Sequence, residues 1–94
     1  MIGHFNVQNL REKDLTMAEV FLERLADGME EATINHWYFE EGDTVEEGND
    51  LLEVTSEEGT FRIPSSCAGI LGEVYFVVGE VVSVGEILCE IEKE

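Results

Sequence analysis

The side chains that could act on a substrate or hold an ion are few in kind. They are two histidines, two cysteines and a large excess of carboxylates, in a chain of 94 residues. A structural zinc site takes four nitrogen or sulfur ligands at short, regular spacing. His4 and His36 lie far apart, as do Cys67 and Cys89, so they supply no such set. The two cysteines form no Cys-x-x-Cys pair, and nothing basic adjoins Cys67 to lower its pKa. They read as free thiols rather than a disulfide framework, with a single bridge left open. The pairs Glu40-Glu41, Glu46-Glu47 and Glu57-Glu58 invite an acid–base reading. Such chemistry needs carboxylates held at different pKa values in a cleft, whereas these fall on predicted turns and read as a solvated face. The Asp-rich calcium loop, the Gly-rich phosphate loop and the nucleophile elbow are all missing. No catalytic residue and no metal ligand is expected.

The elements that carry these groups centre on Leu51 to Ser66, LLEVTSEEGTFRIPSS. Leu51–Val54 and Thr60–Ile63 are apolar, β-branched and aromatic, as strands prefer. Between them Thr55-Ser56-Glu57-Glu58-Gly59 is polar and ends in a residue free to take positive φ. The stretch predicts a β-hairpin with an acidic tip, stopped by Pro64, which cannot donate to a ladder. Upstream, residues 1–17 read as an N-terminal extension and 18–94 as the domain. Around Met17–Ala26, Thr16 with Glu19 and the spacing of Met17, Val20, Phe21 and Leu25 match a capped helix. Ala32–Phe39 is a buried-strand pattern.

The second half repeats the first. A shift of 37 residues lays Tyr38, Phe39, Gly42, Val45, Gly48, Leu51 and Glu53 on Tyr75, Phe76, Gly79, Val82, Gly85, Leu88 and Glu90 without a gap. Each half reads as strand, Gly turn, short strand, Gly turn, strand, with Ile70–Val78 opening the second. Two such halves about a quasi-two-fold axis make an all-β, flattened barrel of two small antiparallel sheets. Phe39, Phe76, Leu51 and Leu88 are expected to point into the shared core.

Five basic residues stand against 22 acidic ones, a net charge of −17. That surface repels phosphate backbones and anionic lipid, so nucleic-acid and membrane-surface roles are excluded; it reads first as a highly solvated surface and second as a match for a partner with a basic face. No apolar run reaches the length of a membrane span and no signal-peptide core is present. Cytoplasmic localisation is expected.

The hairpin resembles the modification hairpin of lipoyl domains, the swinging-arm carriers of 2-oxo acid dehydrogenase complexes, where the string is L-L-E-V-E-T-D-K-A-T-V-E-V-P-S-P. From Gly48 to Pro64 the count matches without a gap, and the family lysine falls on Glu58, flanked by Glu57 and Gly59. Glu19 to Ile34 similarly resembles the opening strand and loop, E-V-K-M-P-K-L-G-E-S-M-T-E-A-T-I, with Glu23 at its proline and Ala26 at its glycine. The resemblance therefore favours a strand over the helix there. It covers roughly Glu19 to Glu92, including Gly42-Asp43-Thr44-Val45-Glu46-Glu47-Gly48 and Pro64-Ser65-Ser66-Cys67-Ala68-Gly69. It implies the duplicated barrel of the lipoyl and biotinyl domains, whose cofactors join a lysine amine as an amide. Glu58 offers no amine, so no cofactor is expected, and the chain reads as a non-enzymatic, degenerate carrier acting through a protein partner. Two alternatives remain: a carrier modified at Lys13 or Lys93, or the lipoyl-like module of a membrane-export adaptor, whose halves are split by a helical insertion absent here.

Overall fold

The computed structural model describes residues 17–93. His4, Lys13 and the proposed N-terminal extension up to residue 16 lie outside them. Eight strands follow one another and, among the described residues, there is no helix: β1 (Met17–Phe21), β2 (Glu31–Trp37), β3 (Thr44–Val45), β4 (Asp50–Ser56), β5 (Gly59–Pro64), β6 (Gly69–Val74), β7 (Val81–Ser83) and β8 (Ile87–Lys93). They form two four-stranded sheets, ordered β1-β8-β6-β3 and β5-β4-β2-β7, with every pairing antiparallel. Exchanging β1 with β5, β2 with β6, β3 with β7 and β4 with β8 turns one sheet into the other. The repeat read in the sequence is thus a quasi-two-fold axis, and each sheet draws strands from both halves.

The hydrogen bonds outside the ladders obey the same axis. Gly42 N–H donates to the Leu71 carbonyl at 2.8 Å, and Gly79 N–H to that of Ile34 at 2.8 Å. Tyr38 N–H reaches the Leu51 carbonyl at 2.8 Å, and Tyr75 N–H that of Leu88 at 3.0 Å. Gly42 and Gly79 both take φ of 96°, in the left-handed region where a Cβ is strained.

The inner faces bury one apolar cluster that includes Leu22, Met29, Ile34, Val54, Leu71 and Ile91. Strict alternation would bury only one member of each doublet Leu51-Leu52 and Leu88-Cys89, yet all four are fully buried. Bulges explain this. Opposite β5, register passes from Asp50↔Pro64 to Leu52↔Ile63, so Leu51 is the extra residue; opposite β1 it passes from Phe21↔Ile87 to Val20↔Cys89, so Leu88 is.

One choice resolves as the resemblance favours, and two expectations shift. Met17–Phe21 is a strand and not the helix its spacing allows, because its edge pairs with β8 and the chain then leaves as an irregular loop pinned by Leu22 and Met29. The runs Ala32–Phe39 and Ile70–Val78 end early, at Trp37 and Val74, after which Tyr38 and Tyr75 each make one last bond to the neighbouring strand, at Leu51 and Leu88, before the chain turns. Phe39 and Phe76, expected inside, are half-buried at the rim of the core, while Leu51 and Leu88 occupy its centre.

Candidate functional site

The β4–β5 hairpin reverses through two residues. Ser56 pairs with Gly59, leaving Glu57 and Glu58 as an exposed tip. The reversal is local. Ser56 Oγ accepts the Glu58 N–H at 3.1 Å and donates to Glu58 Oε1 at 2.9 Å, while Gly59 turns the chain with φ of 145°. Both glutamates keep negative φ, as residues with a side chain prefer.

The tip stands beside the loop between β1 and β2. A Cβ at Gly28 would lie 3.8 Å from Glu58 Oε2, an ordinary contact, so loop and tip are neighbours and it is the φ of 81° that asks for glycine there. An open cleft of about 640 Å³ separates loop from hairpin, and Glu30, Glu31, Glu57 and Glu58 all line it. Four carboxylates make this a negative cleft, and Arg24, whose Nε donates to the Met29 carbonyl at 3.0 Å, is not among the residues that line it.

The tip points away from where the described chain begins and ends. Thr33 near the start of β2 pairs with Thr55 beside the tip, whereas Gly69 at the start of β6 pairs with Lys93. The far ends of β2 and β6 meet in the middle, where Trp37 Nε1 donates to the Phe76 carbonyl at 3.0 Å. Hairpin and termini therefore occupy opposite ends. Lys93, the one lysine among the described residues, is exposed on β8 at the terminal end.

The other sequence candidates scatter. His36 is exposed, its ring edge-on to Tyr38 with centroids 4.8 Å apart. Among the described residues no group of three metal-capable side chains converges. Cys67 is half-buried and Cys89 fully buried, both as free thiols, and burial, helped by the Glu90 charge, pushes Cys89 up to about 12. The paired acids Glu40-Glu41, Glu46-Glu47 and Glu57-Glu58 are all exposed. Glu41 Oε2 accepts the Val74 N–H at 2.7 Å, Asp43 caps the Glu40 N–H at 2.8 Å, and Asn49 caps that of Glu46 at 2.9 Å. The sequence reading missed two matched pairs, Tyr38–Glu53 and Tyr75–Glu90, whose hydroxyls donate at 3.3 and 2.7 Å. The shift of 37 residues that aligns Tyr38 with Tyr75 and Glu53 with Glu90 was the signal for them.

Known proteins share both sequence and fold. The model of a family described as biotin-requiring enzymes, the biotin/lipoyl family, matches residues 19–91. The lipoamide acyltransferase component of the branched-chain alpha-keto acid dehydrogenase complex of Mus musculus is 34% identical over 73 residues, 78% of this chain and 15% of that protein. The dihydrolipoyllysine-residue succinyltransferase component of the 2-oxoglutarate dehydrogenase complex of Bacillus subtilis is 36% identical over 77 residues, 82% of this chain and 18% of that one. The chain thus spans less than a fifth of these relatives. In solution, the lipoyl domain of the 2-oxoglutarate dehydrogenase complex of Azotobacter vinelandii superposes with a TM-score of 0.61 at 15% identity, over 77% of this chain and 94% of that domain. A segment of Kluyveromyces lactis urea carboxylase does so at 0.68 and 15% identity, over 80% of this chain and 6% of that enzyme. By sequence and by its duplicated eight-stranded architecture, the chain belongs to the biotin/lipoyl attachment family.

Proposed function

We propose that this domain keeps the carrier fold without a cargo and works as a non-catalytic, protein-binding module within a larger assembly. One observation carries the reading: the hairpin tip presents no amine. Joining lipoate or biotin to a protein as an amide consumes a lysine amine and the cofactor's carboxylate. Glu57 and Glu58 offer carboxylates and Ser56 a hydroxyl, and Glu58 holds the position counted from Gly48 and Pro64 for the acceptor. The tip residues do not fit either cofactor. Lys93 lies at the opposite end of the domain, on a strand and not a turn. The names of the relatives, components of dehydrogenase complexes, support a multi-protein setting.

Intact mass tests it. Protein purified after co-expression with a lipoate ligase and with a biotin ligase, each with excess cofactor, is expected to carry no adduct. An adduct on the wild-type chain, on any residue, overturns the reading. The variant Glu58→Lys adds an exposed amine at the tip and changes stability by no more than about 0.5 kcal/mol, as exposed substitutions do. Chemical denaturation measures that margin, and the mass of the variant reports whether a ligase recognises the hairpin.

A further inference from the structure

The quasi-two-fold axis supplies an internal control for every surface position, and one stretch departs from it in a single direction. The turns at Glu40–Thr44 and Val77–Val81 are built alike. Asp43 N–H donates to the Glu40 carbonyl at 3.0 Å, and Glu80 N–H to that of Val77 at 3.1 Å. Asp43 Oδ2 caps the Glu40 N–H and Glu80 Oε1 the Val77 N–H, both at 2.8 Å. The backbone is the same, but the outward side chains are not. Where the first turn carries Glu40, Glu41 and Thr44, the second carries Val77, Val78 and Val81, exposed by 63%, 58% and 54%. The first turn shows that the fold does not need valine at these places. Three open valines on one turn and strand end are a clustered apolar surface with no packing role.

We infer that the ledge formed by Val77, Val78 and Val81, which lies across β2 from the hairpin and does not include its tip, is a docking surface for a partner protein that inserts an apolar anchor flanked by lysine or arginine. Charge on the page selects that occupant. Glu80 lies within the ledge, Glu86 caps the Ser83 N–H at its far end at 2.7 Å, and Glu31 pairs across from Ser83 on β2. No lysine or arginine occurs between Arg62 and Lys93. A second copy would bring the same carboxylates and a net charge of −17 against them, so self-association is opposed. A partner with basic flanks gains steering from the glutamates, and the valines supply the contact that loses water. Val82 points inward, so Val81 and Ser83 share the outer side of β7.

The test uses the synthetic peptide Lys-Lys-Leu-Trp-Leu-Lys-Lys and its relative with serine at the three central positions, titrated into 15N-labelled protein at physiological salt. The apolar peptide is expected to shift amides at residues 77–83 and to bind about tenfold tighter than the serine peptide. The triple variant Val77→Thr, Val78→Thr, Val81→Thr is expected to lose that tenfold preference while its spectrum and melting stay those of the wild type. Equal binding of the two peptides to the wild type overturns the inference without needing any variant. Shifts confined to Glu57 and Glu58, or an undiminished preference in the triple variant, overturn it as well. So does concentration-dependent dimerisation in sedimentation that the triple variant abolishes, since the ledge would then be a self-contact.

Discussion

At the scale of single residues, duplication makes structure and composition separable. Tyr38 and Tyr75 sit alike, and each donates to a glutamate two residues beyond a bulged leucine, yet only Tyr75 makes a short contact, 2.7 Å to Glu90 against 3.3 Å to Glu53. The hydrogen bond to Glu90, with weaker contributions from burial and from the charges of Glu90, Glu73 and Glu19, raises the Tyr75 hydroxyl from 10.0 to about 12. Its folded pKa lies above its unfolded value. The pair therefore stabilises the fold in full below pH 10 and stops doing so as pH rises toward 12. Ultraviolet titration of phenolate should show one tyrosine ionising late, and Glu90→Gln should bring it back toward the ordinary range. A late tyrosine that persists in Glu90→Gln would assign the shift to something else. Composition shows none of this, since a tyrosine and a glutamate fifteen positions apart look unrelated; the only sign in the sequence is the shift of 37 residues that lays one pair on the other.

At the scale of elements, what could be read in advance was the part that depends on local sequence. Gly59, Pro64 and the apolar, β-branched and aromatic runs Leu51–Val54 and Thr60–Ile63 mark the hairpin, and the observed strands β4 and β5 follow them with one or two residues added at the ends. The opening strand was harder. Met17–Phe21 has helical spacing, and only pairing with β8, some seventy residues away, makes it a strand. The rim positions of Phe39 and Phe76 were also hidden, since the bulges at Leu51 and Leu88 move the centre of the core to the leucines. Gly69 shows the same kind of constraint from the other side. It opens a strand-like run in the sequence and carries ordinary φ, so nothing local demands glycine, but a Cβ there would fall 2.1 Å from the Glu92 carbonyl oxygen and 2.9 Å from its carbon. Those are backbone atoms of a paired strand and cannot swing aside. Gly69→Ala should thus cost about 1–3 kcal/mol or more through forced strand separation, whereas a Cβ at Gly72, 3.2 Å from the Glu90 carbonyl oxygen, is crowded but asks β8 to give far less, so Gly72→Ala should cost less. Urea denaturation of the wild type and both alanine variants compares them directly. Wild-type stability of Gly69→Ala would mean that β6 and β8 can part without penalty.

At the scale of the whole molecule, the duplicated halves do not form two subdomains. Each sheet is completed by strands of the other half, with β8 between β1 and β6, and β4 between β5 and β2. The repeat was visible in the sequence as seven gapless matches, and it predicted two sheets. The exchange of strands between them follows from the axis and not from any residue pattern. The exchange has a thermodynamic consequence. Leu51 and Leu88 are the bulged residues of their strands, both fully buried, and each carbonyl receives the N–H of a matched tyrosine. Truncating either leaves a cavity in the same shared core, so Leu51→Ala and Leu88→Ala should each cost about 2–5 kcal/mol, a large share of the roughly 5–15 kcal/mol that holds a domain together. Because neither half owns a complete sheet, the loss cannot stay local. Both variants should melt in one transition, lowered by similar amounts, with calorimetric and van't Hoff enthalpies still agreeing. Native-state hydrogen exchange should show β2 and β6 losing protection together in either variant. If Leu88→Ala exposed β6 and β8 while β2 and β4 kept their wild-type protection, the halves would be folding independently and the interleaved sheets would not be the cooperative unit. The tip would sit outside that unit in either case, since Glu57 and Glu58 are exposed and belong to neither β4 nor β5.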